Sequence, residues 1–181
     1  MRFSKFLAVS AATVALAACG GSGNADADGD GRVSAEEMKN AAADMEPLQP
    51  GEYKMSMELV ELEDPTVTPE ELEQAKSFFG MMSSMAPAKC MTAEELENPM
   101  VDLADNMQDG DCEVTSMNAS GGNMKAEMSC SGDKGAADVT LESTSTATSS
   151  QMTMTAVETT EQGPKRMVMK IGMERQGDCP N

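Results

Sequence analysis

The sequence predicts an α+β fold. A mainly antiparallel meander of six strands, as a curved sheet or half-barrel, carries a helical insertion after its first strand and half an EF-hand ahead of it. Three observations point there. Apolar and polar residues alternate with period two in six separate runs. Two capped helical segments follow the first run, and an acidic, glycine-bearing loop precedes everything.

The loop is Asp26-Ala27-Asp28-Gly29-Asp30-Gly31-Arg32-Val33-Ser34-Ala35-Glu36-Glu37. Acidic residues stand at positions 1, 3, 5 and 12, Gly at 6 and a β-branched apolar residue at 8, the spacing of a calcium-binding EF-hand loop. Calcium is a hard cation that takes six to eight oxygens, and this spacing folds them round one centre. Asp26, Asp28 and Asp30 are expected to give carboxylate oxygens and Arg32 its backbone carbonyl. Ser34 would act directly or through water, and Glu37 would close the site with both oxygens. Gly31 permits the sharp bend. Residues 20–25 form a Gly/Ser/Asn tether that leaves no room for an entering helix. The exiting helix is expected: Ser34 caps it, Glu37 completes a capping box, and Pro47 and Pro50 end it. Val33 would ordinarily pair with a second loop, and no second loop occurs in the chain. The expected affinity is therefore weak, on the order of 10⁻⁴ M.

From Gly51 the period changes to two. Tyr53, Met55, Met57 and Leu59 alternate with Lys54, Ser56 and Glu58, as a half-buried strand requires. Thr68-Pro69-Glu70-Glu71 opens one helix with Pro in its first turn and a capping box. Thr92-Ala93-Glu94-Glu95 opens a second, near Pro99. The remaining strands form a meander. Residues 112–118 and 123–130 flank a Ser120-Gly121-Gly122 turn. Val139 with Leu141, then Met152, Met154 and Ala156, then Met167, Met169, Ile171 and Met173 mark three more. The Ser/Thr-rich residues 143–150 continue the alternation, and Thr favours strands.

The beginning of the chain says where the protein lives. A basic head with Arg2 and Lys5 precedes an uncharged apolar stretch over residues 6–18, too short to span a bilayer but suited to a secretory leader. Leu16-Ala17-Ala18-Cys19 resembles a bacterial lipobox, which makes Cys19 the lipidated first residue of the mature chain. Gly20 after it implies an outer-membrane lipoprotein facing the periplasm. The expected organisation is a leader over residues 1–18 and an anchored tether over 19–25. The calcium loop with its helix covers 26–47, and a disulfide-stapled β domain covers 50–181.

Cys19 belongs to the lipid, so Cys90, Cys112, Cys130 and Cys179 remain. An even number in an exported protein reads as two disulfides, and no Cys-x-x-Cys pair supports a metal site. Cys112 and Cys130 have their midpoint at Gly121, inside the turn, so an unslipped ladder sets them face to face. Cys90 then pairs with Cys179 by elimination.

Composition excludes much. The formal charge is −18, with 13 basic residues against 31 acidic, and the leader removes two of the basic ones. So acidic a chain has no electrostatic grip on nucleic acid or an anionic membrane surface. It contains no His, so His-based triads and imidazole zinc or copper sites are ruled out, and no Ser-x-x-Lys signature appears.

Residues from about 50 to 179 resemble a family of bacterial exported proteins known as domain of unknown function 3617. The matching features are Pro50-Gly51-Glu52-Tyr53, Cys90-Met91-Thr92-Ala93-Glu94-Glu95, Gly110-Asp111-Cys112, Met152-Thr153-Met154 and Gly177-Asp178-Cys179. The resemblance supports the fold and implies no activity.

The chain holds 19 methionines, many on the inward strand positions. Three roles compete: core packing, the lining of a cavity for a hydrophobic ligand, and Cu(I) ligation by thioethers. Packing is favoured, because alternating strand positions point into a core rather than converging on a loop. The expected function is a calcium-binding, lipid-anchored envelope lipoprotein with a non-catalytic β domain for structure or interaction. The alternative is a periplasmic carrier of a hydrophobic ligand. The membrane enters through the lipid, and the protein or ligand that meets the β domain stays unnamed.

Overall fold

The computed structural model describes residues 24–43, 45–97, 112–132 and 135–180. Cys19, the leader and Pro99 lie outside the described residues. The elements run α1 (Ala35–Ala42), β1 (Gly51–Glu63), α2 (Pro69–Met85), β2 (Lys89–Met91), α3 (Ala93–Glu97), β3 (Cys112–Ser120), β4 (Asn123–Gly132), β5 (Gly135–Ser145), β6 (Ser149–Thr160) and β7 (Gly163–Gly177). The strands form one antiparallel sheet in the order β2-β1-β7-β6-β5-β4-β3. It is open, with β2 and β3 at its edges.

Seven strands stand where six were expected. The additional one is β2, which pairs Lys89, Cys90 and Met91 with Tyr53, Glu52 and Gly51. Three residues are too few to show a period, so nothing in their sequence announces a strand. The helical insertion lies between β1 and β3 as expected. Thr68 caps α2 and Glu71 reaches back to it, closing the capping box. Thr92 and Glu95 make the same exchange at α3.

The period-two runs put their apolar residues on one face. Leu59, Met169, Met154, Leu141, Ala126 and Met117 stand opposite one another from β1 across to β3. Beside them run Leu62, Met167, Ala156, Val139, Met128 and Val114. Two helical pieces pack on the sheet at opposite ends, α2 against β1 and α1 against β3. At the α2 end, the β1 amide of Met57 donates to Ser83 Oγ at 3.1 Å.

Both cysteine pairings are as expected: Cys90 joins Cys179, and Cys112 joins Cys130. The reason for the second pairing differs, however. The turn is the two-residue Gly121-Gly122, with φ of 56° and 81°, and Ser120 faces Asn123 across it. A regular ladder from that turn would put Cys112 opposite Ser131. A bulge corrects it: Val114 faces Met128 while Ser116 faces Glu127, so Thr115 is the extra residue and Cys112 meets Cys130. The same bulge lets Val114 and Met117, three apart, both turn inward and become buried.

Candidate metal loop and its dock on the sheet edge

The loop is built by its own carboxylates. Asp26 accepts the N–H groups of Gly29 at 2.7 Å and Gly31 at 3.1 Å. Asp28 accepts from Asp30 N at 3.1 Å, and Asp30 from Arg32 N at 2.8 Å. Gly29 and Gly31 turn through left-handed backbone, φ 74° and 87°, which glycine enters without steric cost. The result brings together one oxygen each from Asp26, Asp28 and Asp30, all within 4.8 Å of one another. An ionised carboxylate has about four lone-pair sites, so these backbone bonds orient each group without exhausting it.

The other expected ligands are engaged differently. Glu37 stands apart from the three-aspartate group. Its Oε2 accepts Ser34 N and Ser34 Oγ, each at 2.8 Å, and its Oε1 accepts Ala27 N at 2.8 Å. The backbone N–H groups of Ser34 and Ala27, with the Ser34 hydroxyl, hold its carboxyl below the usual range. Glu37 thus closes the α1 capping box and ties the loop's last position to its second. The guanidinium of Arg32 pairs with Glu113 of β3 at 3.0 Å. Asp28, Asp30, Arg32, Ser34, Glu37 and Glu113 all line one open cleft.

Sequence reasoning missed what the loop rests on. Val33 does have a backbone partner: its N–H donates to Val114 O at 2.8 Å. Ala25 N donates to Met117 O at 2.7 Å, and Met117 N donates to Asn24 Oδ1 at 3.0 Å. Asn24 and Ala25, assigned to the tether, are therefore bonded to β3. Val33 and Met38 are buried in one cluster with Val114, Met117, Met124, Ala126, Met128 and Leu141. The only hint in the sequence is the apolar character of Val33 and Met38, which asks for cover without saying from where.

A second open cleft lies over β3–β6, lined by Asn118, Asn123, Met124, Lys125, Glu142 and Thr153 among others. Neither cleft is an enclosed, methionine-lined cavity. No helix among the described residues is long and apolar enough to cross a membrane.

These features define a disulfide-stapled, open antiparallel sheet whose edge is met by an acidic N-terminal loop. Residues 48–179 match the family described as Protein of unknown function (DUF3617), and the chain belongs to that family. No match to a curated protein or to a solved structure accompanies it. The match begins after α1, so the acidic loop is outside it.

Proposed function

We propose that this is a calcium-binding, lipid-anchored envelope lipoprotein whose β domain serves structure or interaction rather than catalysis. The observation that carries the reading is the convergence of Asp26, Asp28 and Asp30 oxygens to within 4.8 Å in a loop bent at Gly29 and Gly31. Asp26, Asp28 and Asp30 would hold the ion, with Arg32 through its carbonyl, Ser34, and Glu37 closing the shell. Calcium there would neutralise three crowded like charges and stiffen the loop that follows the anchor. The anchor is Cys19, and Gly20 after it supports sorting to the outer membrane on the periplasmic side.

Titration calorimetry of the mature chain tests the metal. One calcium per chain is expected, with a dissociation constant on the order of 10⁻⁴ M or tighter. Glu37→Gln should weaken it at least about tenfold. Absence of calcium heat, with wild type and Glu37→Gln indistinguishable, would sink the reading.

A second reading, carriage of a hydrophobic ligand, draws on one observation. Among the described residues, the large exposed apolar side chains, Met55, Val60, Phe78, Met81, Met82 and Met85, all lie on β1 and α2. On α2 they recur at i, i+3, i+4 and i+7, an exposed apolar stripe. Native mass spectrometry of the protein extracted from its own membrane separates the two. A co-purified lipid-like molecule beyond the acyl chains on Cys19 favours the carrier, and its absence favours the first reading.

A further inference from the structure

Residues 24–43 precede the family match, which starts at residue 48, yet they finish the core of the family domain. β3 is the last strand of the sheet, and an unpaired edge is a template for any passing strand. Here Ala25 N, Val33 N and Asn24 Oδ1 occupy Met117 O, Val114 O and Met117 N on that edge. The ion pair of Arg32 with Glu113 and the burial of Val33 and Met38 hold the same segment in place. The two backbone–backbone contacts bracket the aspartates, Ala25 just before Asp26 and Val33 just after Arg32. The spacing with which they reach Met117 and Val114 is therefore set by how tightly the loop is drawn in. Without a cation, three carboxylates within 4.8 Å repel one another and oppose that closure.

We infer that residues 24–43 are a clasp on the edge of β3, locked by the divalent cation. The inference rests on the calcium reading above and adds its consequence for the sheet. Calcium tightens the loop, and the tightened loop holds Ala25, Val33 and Asn24 against β3. The coupling is reciprocal: contacts with β3 that favour the closed loop raise its affinity for the ion. Removing calcium loosens the clasp and uncovers Val114 and Met117.

Amide exchange by NMR on the full mature chain, with calcium and with chelator, tests this beside calorimetry. Calcium should slow exchange at Ala25, Val33 and Met117 by about tenfold, and leave Leu59 of β1 within about twofold. Met38→Ala trims a buried side chain that is not itself an expected ligand, and it should weaken calcium binding by roughly fivefold or more. Glu113→Gln, on the exposed side of the dock, should act in the same direction and serves where Met38→Ala does not fold. Calcium heat with Met117 exchange unchanged, or with both variants at wild-type affinity, would overturn the clasp and leave calcium binding standing. No calcium heat would overturn both.

Discussion

Glu37 shows how one side chain serves several local needs. It is spaced to cap α1 through Ser34, and its second oxygen reaches back to Ala27. Glu71 and Glu95 repeat the cap with Thr68 and Thr92, and Asp64 accepts from Thr66. All four carboxyls are held below their ordinary values, chiefly by hydrogen bonds to the anion. A depressed carboxyl contributes stability that is complete above its unfolded value, 4.5 for Glu, and is lost as pH falls through the folded value. The melting temperature of calcium-free protein should therefore hold level from about pH 8 to about pH 6 and decline below about pH 4.5. Circular dichroism across that range checks it. Glu37→Gln should show a smaller decline than wild type, because its cap no longer titrates.

Among the elements, the β3–β4 hairpin carries the most positional demand. Both turn residues have positive φ, the requirement of a two-residue turn matched to strand twist. The two glycines are not equivalent. A Cβ on Gly122 would lie 2.5 Å from the Ser145 carbonyl oxygen, whereas one on Gly121 would meet nothing within 4 Å. Ser145 N also donates to Gly122 O at 2.6 Å, so the start of the β5–β6 connection is fastened to this turn. Gly122→Ala should cost about 2 kcal/mol or more, from left-handed strain and the backbone clash together. Gly121→Asn should stay within about 1 kcal/mol, since Asn tolerates that conformation. Urea denaturation of the two variants distinguishes them, and equal losses would contradict the close approach of Ser145.

At the scale of the molecule, the two disulfides restrain different things. Cys112–Cys130 closes 18 residues within one hairpin, while Cys90–Cys179 closes 89 and fastens β2, at one edge of the sheet, to the end of the chain. On the chain-entropy relation they contribute about 3.2 and about 4.6 kcal/mol respectively. The Cys90→Ser/Cys179→Ser variant should accordingly lose more in urea unfolding than Cys112→Ser/Cys130→Ser. The reverse order would mean that the bulged hairpin depends on its disulfide for register. Topology supports the expected order: the hairpin is local, whereas β1 and β7 pair across more than a hundred residues of chain.

What the sequence by itself determined is what depends on near neighbours. Alternation along a strand, a Ser or Thr three residues before Glu, and an acidic residue at loop positions 1, 3 and 5 all act within a few residues. They gave six of the strands, the three helix starts and the three aspartates that converge. Tertiary structure decided the rest. β2 exists because β1 offers it an edge. The bulge at Thr115 exists because Val114, Met117 and Cys112 must all be placed against partners at the same time. The dock of Val33 on Val114 joins residues 81 apart in the chain, which no local period encodes. Glu37 is the mixed case: its spacing is right for both a capping box and a metal shell, and its hydrogen bonds in the structure are those of the capping box. The physical reason is common to all of them. Local patterns choose a conformation, but the partner that satisfies an edge, a buried side chain or a backbone donor exists only after the chain has folded around it.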